Sequence, residues 1–211
     1  MSTPKQPPFE KALRAGIRVS WASVAWTITS SSAAIVAGLL ARNLVLVVFG
    51  LTGLLDAAGS VTLALHFRHA LRNEQLSETR ERVALRIVSS GLIAIGLYTI
   101  VESIRRLIVS PPMRDSTFGA VIAAGSILAL GILALRKRAI ARRVRSNALL
   151  ADGWLSATGA GLAAIALLGT ILSARSGLHW VDPVSALLVA LVASGAGVSA
   201  LRREAAELDA V

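Results

Sequence analysis

Phe49-Gly-Leu-Thr-Gly-Leu-Leu-Asp-Ala-Ala-Gly-Ser60 sets one carboxylate, Asp56, near the middle of an apolar run from about Leu44 to His66. A run of that length is what a helix needs to cross the hydrocarbon of a bilayer. A charge at such depth costs roughly 2.5–3.5 kcal/mol on insertion scales, so an intramembrane Asp marks a functional site by default. Thr52 and Ser60 lie four residues to either side of Asp56, so a helix puts all three oxygen-bearing side chains on one face.

The rest of the chain repeats the apolar pattern. Of its 211 residues, 55% are hydrophobic and only 16% are charged, against about 25% charged in a soluble domain. The formal net charge is +10, but the basic residues cluster between apolar runs, which fits membrane topology rather than a nucleic-acid surface. With no Cys, disulfides, thiolate metal centres and cysteine nucleophiles are excluded. No Ser/His/Asp array, paired carboxylates or phosphate-binding loop with a lysine is present, so no enzyme is expected. Met1–Glu10 is polar and Pro-rich, without the short apolar core of a cleaved signal peptide.

Six spans are expected, over about 17–41, 44–66, 83–109, 117–136, 148–173 and 182–201, making an all-α membrane protein. A disordered arm is read over 1–16, the six-helix domain over 17–201 and a short tail over 202–211. Pro111-Pro112 stops the third span, since proline lacks an amide proton and restricts the residue before it. Asp182-Pro183 reads as a helix start, with Asp capping the free amides. Of the 22 Lys and Arg residues, all but Arg42, Arg105, Arg106, Arg114 and Arg175 fall on the side that holds both termini. The positive-inside rule therefore makes both termini cytoplasmic, in a plasma membrane.

Several polar groups have a bland reading. The hydroxyls of Thr27-Ile-Thr-Ser-Ser-Ser32 can bond back to their own helix or across to another. Glu102 beside Arg105 and Arg106 reads as an ion pair, and His179-Trp180 as an interfacial anchor. His66 and His69 face one another at helical spacing, near Glu74 and Glu78, and read first as interface histidines.

Four segments in order carry a family likeness: Leu54-Leu-Asp-Ala-Ala-Gly-Ser-Val-Thr62, Glu102-Ser-Ile-Arg-Arg-Leu107, Ala148-Leu-Leu-Ala-Asp152 and Asp182-Pro-Val-Ser-Ala-Leu-Leu-Val-Ala190. On these the chain resembles the cation diffusion facilitator, or cation efflux, family over roughly residues 11–209. The resemblance implies that family's transmembrane domain and transport of a divalent cation such as zinc, manganese or iron. The family's tetrahedral site takes two ligands four residues apart on each of spans 2 and 5. Those positions fall here on Thr52 and Asp56, and on Leu155 and Gly159. Only Asp56 keeps a metal-binding side chain, with Thr52 as an auxiliary oxygen and Asp152 as a further candidate. Asp152 also reads as a helix cap or ion pair beside the basic Arg142–Arg145 cluster, and Asp56 as a hydrogen-bond acceptor from span 1 hydroxyls. Ser77-Glu-Thr-Arg-Glu81 replaces the family's glycine-rich motif before span 3, and no cytoplasmic metal-binding domain is expected after span 6. Small residues at Ala190/Ser194 and Ala193/Gly197 allow close helix approach, and the resemblance implies a homodimer in the lipid bilayer. Two readings stay open: a cation/proton transporter, or a non-transporting relative with a structural or regulatory role.

Overall fold

A computed structural model describes residues 7–71, 78–109, 116–144, 147–176, 178 and 180–209. These form six α-helices: α1 (Pro7–Ala41), α2 (Leu44–Leu71), α3 (Glu78–Val109), α4 (Thr117–Val144), α5 (Asn147–Ser176) and α6 (Val181–Asp209). All six are long and apolar enough to cross a membrane. Helices are the expected solution, because lipid offers no partner for a free backbone amide or carbonyl. Helix begins at Pro7, inside the arm read as disordered, and α6 runs on to Asp209 beyond its apolar part. Proline suits a first turn, where its missing amide proton costs nothing. Pro111-Pro112, Glu74 and His179 lie outside the described residues, as do the side chains of His66, His69 and Glu78.

Helices α1, α2, α4 and α5 pack together, while α3 and α6 pair with each other and lean on α2 and α5. Within the four-helix unit, α1 and α2 approach closely. A Cβ at Gly50 would lie 2.6 Å from the Ser31 carbonyl oxygen, and one at Gly53 would meet the Ser31 hydroxyl. Small residues let backbones approach in this way where no hydrophobic driving force separates helix from lipid. Large apolar side chains such as Leu40, Ile108, Leu128 and Leu135 point outward, as a lipid-facing surface requires.

The α1–α2 turn is two residues long. Arg42 takes a left-handed φ of 55°, and the Asn43 amide donates to the Gly38 carbonyl oxygen at 2.8 Å, closing α1. Asn43 then starts α2 by accepting from the Leu46 amide at 3.0 Å. Just inside this end, Ala34, Val45, Val48, Phe49, Leu162, Ala166 and Val189 form a solid apolar core.

Candidate functional site

Beyond that core the packing opens. A cavity of about 70 Å³ is lined by all six helices, through residues that include Ser31, Thr52, Asp56, Leu92, Leu130, Leu155, Gly159 and Ala193. Asp56 stands about 18 Å along α2 from Leu44 at 1.5 Å rise per residue, near mid-membrane depth. All four positions on which the ligand pattern falls, Thr52, Asp56, Leu155 and Gly159, line this one cavity. Of them, only Asp56 brings a charge, and most of the lining is apolar. Among the described residues none donates a hydrogen bond to the Asp56 carboxylate. Two of the nearby hydroxyls, those of Thr52 and Ser30, are turned to their own helices. Thr52 Oγ1 donates to the Val48 and Phe49 carbonyl oxygens at 3.0 Å each, and Ser30 Oγ donates to the Thr27 carbonyl oxygen. The oxygen lone pairs of Thr52 are therefore all it can offer a cation.

One turn further from the α1–α2 end lies a charged layer. Lys137 on α4 and Asp152 on α5 are both buried, with Lys137 Nζ 2.8 Å from Asp152 Oδ2. Ser20 Oγ on α1 donates to Asp152 Oδ2 at 2.9 Å, and Ser60 Oγ on α2 donates to Oδ1 at 3.2 Å. Lys137 Nζ also donates to Ser156 Oγ at 2.9 Å, which lies 3.5 Å from Ser23 Oγ. One buried ion pair thus ties four helices together, with its polar atoms satisfied as burial of charge demands. Of the cap and the ion pair read for Asp152, the ion pair is observed, with Lys137 and in the interior. Asp56 stands one turn of α2 from Ser60, which donates to Asp152 of the pair.

Sequence reasoning counted Lys137 among the basic residues of a solvated connection. The missed signal is its register: Leu130, Ala134, Lys137 and Ala141 recur at helical spacing, and all four are buried. Its neighbour Arg138 is half-buried, with its guanidinium 3.7 Å from the ring centre of Trp154.

The opposite end carries a second network. Asp182 does not cap α6, as its place before Pro183 suggests. Its Oδ2 and Oδ1 accept from the Leu44 and Val45 amides at 2.9 Å each, so it caps α2. The reason is tertiary: α6 starts beside the start of α2, and the shared carboxylate answers two of α2's orphan amides. Arg106 bridges Asp182, at 3.3 Å, to Glu102, at 2.9 Å, and donates to the Arg42 carbonyl oxygen at 2.6 Å. The ion pair expected of Glu102 is present, extended by Arg105 at 2.7 Å.

Among the described residues, no three His, Cys, Asp or Glu side chains converge as a metal centre would require. Residues 20–208 match the family model described as the cation efflux transmembrane domain. A comparison with curated proteins finds no match.

Proposed function

Because the chain belongs to the cation efflux family, we propose that it moves a cation across the membrane through the Asp56 cavity. It is an integral membrane protein with a cation-transporter fold, and members of its family are transporters. One observation carries the reading: the four ligand positions of the family line a single cavity that touches every helix, and the carboxylate there, Asp56, has no hydrogen-bonding partner among the described residues. A desolvated, unpaired carboxylate is costly in a bilayer, and a cargo that relieves the cost is the simplest reason to keep it. Asp56 is the acceptor in this reading, Thr52 an auxiliary oxygen, and Asp152 a fixed charge beneath the cavity. A cation and a proton would take turns on Asp56 as the six-helix unit alternates its access.

A zinc-type tetrahedral centre is not supported, since Leu155 and Gly159 supply no ligand atom. The clustering of basic residues supports cytoplasmic termini in a prokaryotic plasma membrane, and the small residues of α6 support a homodimer. The apolar cavity lining favours a second reading, a non-transporting relative that keeps the scaffold without a working site. Uptake into proteoliposomes, with Asp56→Ala as control, separates the two. Equal uptake by both proteins for every cation tried, zinc, manganese and iron included, would sink the transport reading.

A further inference from the structure

The charged groups of the membrane interior can be counted residue by residue. At the α1–α2 end, Glu102 and Asp182 are matched by Arg105 and Arg106. Arg138 is half-buried, with its guanidinium over the ring of the exposed Trp154 and no carboxylate partner among the described residues. Among the described residues that leaves Asp56, Asp152 and Lys137 in the interior, with Lys137 paired to Asp152 and Asp56 one turn of α2 from the Ser60 that donates to Asp152.

Lys137 Nζ is held as a bound cation would be. It has a carboxylate oxygen at 2.8 Å and a hydroxyl oxygen at 2.9 Å, with Ser20 and Ser60 supporting that carboxylate from two other helices. Its side chain is fully buried, so no water shell shares the charge. We infer that Lys137 is a resident, tethered cation, which cancels one of the two intramembrane carboxylates and leaves the Asp56 cavity matched to a singly charged cation rather than a divalent metal. The inference rests on the reading of Asp56 as the cargo acceptor and names the class of its cargo. With Lys137 in place the cluster carries one net negative charge. A monovalent ion neutralises it, whereas a divalent ion would leave an excess positive charge where desolvation is expensive. The ligand chemistry agrees: one carboxylate and a threonine oxygen make a hard, oxygen-only set, without the imidazoles that borderline metals favour.

The test is uptake of sodium and potassium, against zinc and manganese, by full-length protein in proteoliposomes. The wild type should take up a monovalent ion in an Asp56-dependent manner, with zinc and manganese no higher than in Asp56→Asn. Lys137→Met takes the cluster from one to two negative charges and should raise divalent uptake about tenfold or more, the scale of one unit charge acting through the interior. Asp152→Asn removes the net charge and should abolish uptake. Lys137→Met combined with Asp152→Asn restores the single charge without a buried unpaired ion, so it keeps the inference testable even where Lys137→Met does not fold. This double variant should keep the wild-type preference. Asp56-dependent zinc or manganese uptake by the wild type, or a double variant that prefers divalent ions, overturns the valence inference alone. Uptake of every ion unchanged by Asp56→Asn overturns the transport reading beneath it.

Discussion

Lys137 Nζ lies 2.8 Å from Asp152 Oδ2, and the two side chains are 0% and 1% exposed. The pair joins the last turns of α4 to the first turns of α5 and recruits α1 and α2 through Ser20 and Ser60. Breaking one member leaves the other charged, buried and alone. Lys137→Met should therefore cost about 3–5 kcal/mol of stability. Adding Asp152→Asn should recover most of that loss, because the orphan charge goes with it. Thermal unfolding in detergent of the two single variants and the double variant measures the coupling, and additive losses would refute it.

Asp56 should behave in the opposite way. No described residue donates to its carboxylate, so Asp56→Asn removes a desolvated charge without breaking a bond. The melting temperature should stay level or rise, the pattern of a group kept for function at a cost in stability. A drop comparable with that of Lys137→Met would show Asp56 to be structural.

Capping at the other end gives a third expectation. Asp182→Ala strips two amides of α2 of their acceptor and leaves Arg106 short of a partner. The cap alone is worth about 1 kcal/mol, and the buried setting raises the total to about 2–3 kcal/mol. Arg106→Ala should be similarly damaging, whereas Arg105→Ala should leave the melting temperature almost unchanged. Arg105 is 60% exposed and Arg106 only 15%, and water already solvates the former. Equal effects of the two arginine variants would contradict the network.

Helix approach supplies the fourth. At Gly50 an added Cβ would meet backbone, 2.6 Å from the Ser31 carbonyl oxygen, so α1 and α2 must separate to admit it. Gly50→Ala should destabilise by about 1–3 kcal/mol through overpacking. Gly131 on α4 has nothing within 4 Å of the same position, and Gly131→Ala should stabilise by about 0.5–1 kcal/mol through the unfolded chain and helix propensity. Parallel unfolding measurements decide it, and the same sign for both would count against the packing described.

How much of this was legible beforehand depended on whether the signal was local. Six spans, their order and the intramembrane Asp56 follow from hydropathy and length, because the thickness of the bilayer converts an apolar run directly into a crossing. The likeness at Leu54–Thr62 and at Ala148–Asp152 located the ligand positions, and the fold brings all four into one cavity. The tertiary structure alone decided what each charge faces. Lys137 looked like one more cation in a basic connection until the rotation of α4 turned it onto the buried face with Leu130, Ala134 and Ala141. Asp182 looked like the cap of its own helix until the start of α2 came to lie beside it. Span length is a property of one segment, but the partner of a buried charge depends on the depth and rotation of several helices at once. Neither is written within any one of them.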